Sequence, residues 1–150
     1  MDTSPPGRHD PKEVPPLRIL SVDDNRDAAD SSVDLLTIMG FEARACYDGE
    51  SALAEAASFL PGMCLIDLNM PGMDGDVLAV RLREWAAGAP LVLVAVTAMN
   101  NEESCRRIQE AGFTLHLVKP VDPYNMVAVV DALWRAWSPF GLEEPPDPEP

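Results

Sequence analysis

The chain has 150 residues, a formal charge of −14 and an apolar fraction of 47%, which suits one compact domain that folds without a metal or a disulfide and is too short for two ordinary ones. The acidity argues against phosphate backbones or anionic lipid as the main partner, so neither nucleic acid nor a membrane surface is expected. Three scattered cysteines (Cys46, Cys64 and Cys105) fit reduced thiols and match no zinc spacing. The longest apolar run, Leu91 to Val96, cannot span a bilayer, and no secretory h-region opens the chain; a cytoplasmic protein is expected.

Proline marks the ends. Five of the 15 prolines lie in residues 1–16 and five in residues 138–150, so both stretches are expected to be flexible tails around a folded domain at residues 17–137. Leu17 to Val22 reads as a buried strand, followed by a helix near Arg26 to Met39 that stops at Gly40. Phe41 to Cys46 is a second strand, and Asp48-Gly49 opens a helix to about Phe59. Met63 to Asp67 is the third strand, then come a Pro/Gly-rich loop and a helix near Asp76 to Ala87. Leu91 to Val96, the most apolar strand, is expected to be central. A polar helix near Asn101 to Ala111, a strand at Thr114 to Val118 and a last helix from Pro123 to Trp137 complete the pattern. Five β–α units with helical crossovers imply an α/β fold with a doubly wound parallel sheet.

Ligands of such sheets bind beyond the carboxyl ends of the strands, where the strand order reverses. Asp23 and Asp24 follow the first strand, and Asp67 ends the third. Thr97 follows the fourth strand, and Lys119-Pro120 the fifth. Three carboxylates at one rim repel and raise each other's pKa unless a cation sits among them. Hard oxygen ligands of this number suit Mg²⁺, which shares its shell with phosphates. A carboxylate beside Mg²⁺ can attack a phosphoryl group while Lys119 and Thr97 neutralise its oxygens. Any one of these aspartates alone is better read as a helix cap or turn former, the reading kept for Asp48 and Asp122. The five positions together point to the site.

The segments Val22-Asp23-Asp24-Asn25, Asp67-Leu68-Asn69-Met70-Pro71-Gly72-Met73-Asp74-Gly75, Val96-Thr97-Ala98 and Val118-Lys119-Pro120 carry a resemblance to the response-regulator receiver family of two-component signalling. The resemblance covers Leu17 to Trp137. It implies a flavodoxin-like, five-stranded sheet of order 2-1-3-4-5 with helices on both faces. It implies Asp67 as phosphoryl acceptor and Mg²⁺ held by Asp24, Asp67 and the Asn69 backbone carbonyl, with Asp23 acting through water. Thr97 resembles the hydroxyl that moves toward the phosphoryl group, Lys119 the bridging lysine, and Pro120 the proline that relatives often hold cis. Ala98 fits the small residue that leaves the site open to a donor. The implied donor is a histidine kinase or histidine phosphotransfer protein, docking on the first helix.

Two positions depart from the commonest family pattern. His116 stands where the family often carries the Tyr or Phe of its conformational switch; it is large enough to swing, and equally reads as a half-exposed strand residue. Met99, where many relatives are polar, is expected to affect how fast water reaches the phosphoaspartate, in the direction of slower hydrolysis. The last helix carries an apolar arc wider than one core-facing stripe, most of it core, with Trp134 and Trp137 as candidates for a docking or homodimer face. The fourth helix offers mainly Cys105, Ile108 and Ala111 as apolar anchors and is expected to be thinly held.

No output domain is expected after residue 137, and the Met1 start favours a stand-alone receiver over a module of a hybrid kinase. An aspartyl phosphatase of the haloacid dehalogenase type resembles this arrangement but needs a second Asp two residues after the nucleophile, where Asn69 stands. A nucleotide-binding module would need a glycine-rich cradle after the first strand. A pseudo-receiver that only binds partners is disfavoured by the intact Asp, Thr and Lys set.

Overall fold

Strand and helix alternate five times along the described chain: β1 (Arg18–Val22), α1 (Arg26–Ile38), β2 (Glu42–Cys46), α2 (Gly49–Phe59), β3 (Met63–Asp67), α3 (Gly75–Ala86), β4 (Val92–Thr97), α4 (Glu102–Ala111), β5 (Leu115–Val118) and α5 (Pro123–Trp137). The structure is a computed structural model that describes residues 17–137; the expected tails lie outside the described residues. Side-chain caps start three of the helices. Asn25, Asp48 and Asn101 accept from the backbone N–H of Ala28, Ser51 and Ser104 at 3.1, 2.7 and 2.9 Å, each satisfying a donor the helix leaves free. Asp48 is thus the cap expected of it, and Asp122 accepts from Tyr124 N–H at the start of α5.

The five strands are parallel, in the order β2-β1-β3-β4-β5. β3 takes the middle position, and β4 stands beside it between β3 and β5, an interior strand as its apolar run leads one to expect. A continuous apolar run reports cover on both faces, which both strands have; it does not report rank in the sheet.

Alternate residues feed two cores. Ile19, Met63, Leu65, Val92, Val94 and Leu117 pack with Leu36 of α1 and with Met126 and Val130 of α5. Leu20, Cys64, Ile66, Leu93 and Ala95 pack under α2, α3 and α4 through Ala52, Ala56, Leu78, Leu82 and Ile108. Burying each of the larger side chains contributes roughly 1.5–3 kcal/mol. No helix among the described residues is long and apolar enough to cross a membrane.

Two surface expectations change. In α4 the buried residues are Ser104, Ile108 and Ala111, while Cys105 is exposed. The helix meets the sheet along an i, i+4, i+7 stripe, and Cys105 lies about 100° around from Ser104. In α5 Trp134 is half-buried against the α1/α5 core, so much of its ring belongs to packing. The Trp137 side chain lies outside the described residues.

Candidate functional site

The strand order reverses at β1, with β2 on one side of it and β3 on the other, and the carboxyl ends of β1 and β3 frame a crevice. β1 delivers Asp23 and Asp24 there, and β3 delivers Asp67. One oxygen from each of the three carboxylates lies within 4.8 Å of the others. Asp23 and Asp67 are buried while Asp24 faces solvent, so the cluster has a closed floor and an open lip. Asp23 also accepts from Asn25 N–H at 2.9 Å, which holds its carboxylate against the start of α1.

Lys119, from the end of β5, reaches across the rim. Its Nζ is 3.0 Å from Asp23 Oδ2 and 3.5 Å from Asp67 Oδ2. Burial pushes the Asp67 carboxyl up to about 7, and the negative charge of Asp23 pushes the same way, with Lys119 partly opposing. Burial also disfavours the Lys119 ammonium, but hydrogen bonds and charge from Asp23 and Asp67 outweigh it and raise its pKa. One ammonium among three carboxylates leaves two negative charges uncompensated when all are ionised. The oxygen-only donor set and this surplus fit a small divalent cation such as Mg²⁺.

The segment after Asp67 is held by its backbone. Leu68 N–H donates to Val96 O at 2.8 Å and Gly75 N–H to Leu68 O at 2.8 Å. Met70 N–H donates to Asp74 Oδ1 at 3.1 Å. Gly75 packs so closely that a Cβ there would stand 2.2 Å from the Asp67 carbonyl oxygen. Gly72, at φ +83, turns the loop in a conformation that side-chain-bearing residues rarely adopt.

Thr97 is buried at the end of β4, with its hydroxyl turned to its own chain: Oγ1 donates to Met99 O at 3.0 Å and accepts from Met99 N–H at 3.1 Å. Ala98 and Met99 are exposed beside it. The Lys119–Pro120 bond is cis. His116, half-buried, pairs in register with Ala95, whose side chain belongs to the core under α2, α3 and α4; this puts His116 on the α4 side of the sheet. The site thus brings together Asp23, Asp24, Asp67 and Lys119, with Thr97 and Ala98 along the same rim and His116 further back on its strand.

Sequence reasoning missed Arg107. From α4 its guanidinium donates to both oxygens of Asp76 at 3.0 Å each, to Asn69 Oδ1 at 2.9 Å and to Leu68 O at 3.3 Å. Hydrogen bonding to Arg107 holds the Asp76 carboxyl below the usual carboxylate range. The only hint in the sequence was helical spacing, which sets Arg107 beside Ile108 at the margin of the buried stripe.

Comparison with known proteins agrees with this fold. The model of the response regulator receiver domain matches residues 19–131. An uncharacterized 14.6 kDa protein of Leptolyngbya boryana is 34% identical over 123 residues, covering 82% of this chain and 94% of that protein. The response regulator PleD of Caulobacter vibrioides is 34% identical over 118 residues, 79% of this chain but only 26% of PleD. In fold, the Vibrio cholerae chemotaxis protein CheY4 superposes with a TM-score of 0.75 at 24% identity, over 79% of this chain and 98% of CheY4. The chain belongs to the response-regulator receiver domain family.

Proposed function

We propose that this receiver domain takes its phosphoryl group on Asp67, from the phosphohistidine of a histidine kinase or histidine phosphotransfer protein, with Mg²⁺ bound beside the acceptor. The domain's role is phosphoacceptor signalling. The observation that carries the assignment to Asp67 is its place: a buried carboxylate at the end of the middle strand, with Asp23 and Asp24 within 4.8 Å and an ammonium at 3.5 Å.

Asp24, Asp67 and the Asn69 carbonyl would hold the ion directly and Asp23 through water. When bound, the ion would supply positive charge to the phosphoryl oxygens and keep Asp67 ionised. An Asp67 oxygen then forms its bond to phosphorus as the donor P–N bond breaks, and the electron pair leaves with the donor nitrogen. Lys119 neutralises a phosphoryl oxygen, moving from Asp23 toward the new charge. Thr97 exchanges its bonds to Met99 for one to the phosphoryl group, and His116 turns with that movement. Ala98 leaves room for the donor. The domain thereby assists its own phosphorylation and dephosphorylation, and partner binding changes with the shape of the α4 side. A homodimer through α5 is a further part of this reading, with the part of Trp134 left outside the core as its candidate contact.

The test is incubation with a small acyl phosphate donor and Mg²⁺, followed by intact mass and elution volume. Wild type should gain one phosphoryl group and Asp67→Asn none. Equal labelling of both proteins would sink the assignment, and an unchanged elution volume after labelling would sink the homodimer.

A further inference from the structure

We infer that Arg107 is a positioning residue for the cation and phosphoryl site: its guanidinium locks the segment after the acceptor to α4. The inference rests on the reading of Asp67 above. Leu68 and Asn69 follow Asp67 directly, and the Asn69 carbonyl is a proposed ligand of the ion. Arg107 holds both residues, one by its carbonyl and one by its side chain.

The geometry of the fork explains why an arginine is needed. Two N–H groups sit flat on the Asp76 carboxylate, which fixes the plane of the guanidinium and aims Nη1 and Nη2 at the loop. Asp74 lies 3.7 Å from Nη2 and adds charge on the same side. A lysine has its donors on one nitrogen and cannot span the three acceptors together. An ordinary salt bridge between α3 and α4 accounts for the Asp76 contact alone. It does not account for two further hydrogen bonds running into the two residues after the acceptor.

The consequence is a link between the site and α4. That helix buries only Ser104, Ile108 and Ala111, so the Arg107 bonds are a large part of what seats its inner face. A loop geometry that favours the ion favours that seat, and such coupling is reciprocal.

The experiment titrates Mg²⁺ calorimetrically into the full chain of wild type, Arg107→Gln and Arg107→Lys, and follows amide hydrogen exchange in α4 with and without Mg²⁺. Wild type should bind Mg²⁺ and protect α4 amides on binding. Both variants should bind about five-fold or more weakly and lose that protection. A merely structural role would change the baseline exchange of α4 but leave its response to Mg²⁺ intact. Should Arg107→Gln not fold, Asn69→Ala removes one acceptor of the fork while keeping the loop carbonyl, and the same weakening is expected. An Arg107→Gln protein that binds within about twofold of wild type, with α4 protected as before, overturns the inference alone. So does full rescue by Arg107→Lys. A wild type that binds no Mg²⁺ overturns the Asp67 reading and this inference with it.

Discussion

Lys119 leans on Asp23 more closely than on Asp67, its Nζ 3.0 Å from the first carboxylate and 3.5 Å from the second. In the absence of phosphate the lysine therefore serves two carboxylates and competes with any cation for them. Lys119→Gln should tighten Mg²⁺ binding, because a positive charge leaves the neighbourhood of the ion. It should also slow phosphorylation by a small donor, because a charged hydrogen bond to the phosphoryl oxygens is lost. At about 1.5–3 kcal/mol for such a bond, the rate should fall roughly 10- to 100-fold. Weaker Mg²⁺ binding in the variant, measured by calorimetry, would contradict this account.

The raised pKa of Asp67 makes a signed prediction about stability. Burial and Asp23 push this carboxyl up to about 7, whereas an unfolded chain ionises it near about 3.9. The folded state thus holds the proton over the window from about 4 to about 7, and stability falls as pH rises through it. Asp67→Asn removes the charge that causes the loss. Without divalent ions, Asp67→Asn should melt above wild type at pH 8, with the gap closing toward pH 4. Adding Mg²⁺ at pH 8 should raise the wild-type midpoint and leave Asp67→Asn nearly unmoved. A gap of equal size at both pH values would remove Asp67 titration as its cause.

The site was legible in the sequence to the extent that its residues stand at strand ends. Asp23, Asp24, Asp67, Thr97 and Lys119 each follow an apolar run whose end can be read to within a residue, and a parallel sheet collects such ends at one rim. Facing within a helix was less legible. The polar α4 has too few apolar residues to fix its rotation, so its sequence points to Cys105 as an anchor where Ser104 is buried. Arg107 is illegible for the same reason, since its four hydrogen bonds depend on which way α4 turns and on residues 31 to 39 positions away.

Met99 is expected to set part of the lifetime of the phosphorylated state. The residue is 51% exposed, and its backbone carries both hydrogen bonds of the Thr97 hydroxyl. A thioether is a weak acceptor and orients water poorly, whereas an amide or carboxylate at the same point can hold a water molecule for attack on the phosphoaspartate. Met99→Glu should therefore shorten the acyl phosphate lifetime while leaving the extent of labelling at early times unchanged. The decay of phosphorylated protein after removal of the donor measures it, and equal decay rates would dismiss the role of Met99.

Gly75 tests whether Asp67 needs its backbone held to a fraction of an ångström. A Cβ at this position would stand 2.2 Å from Asp67 O and 2.9 Å from both Ile66 Cγ2 and Leu68 Cα. Two of these three atoms are backbone, so no side-chain rotation relieves the clash, and the strand end carrying Asp67 must move. Overpacking of this kind costs about 1–3 kcal/mol. Gly40 is the control: at φ +101 it has nothing within 4 Å of an added Cβ, so Gly40→Ala meets only left-handed strain of about 1–2 kcal/mol. The two variants should lose comparable stability in urea. Only Gly75→Ala should also lose most of its phosphorylation rate under conditions where both proteins are fully folded, and an undiminished rate in Gly75→Ala would mean that the position of the strand end is not critical to the chemistry.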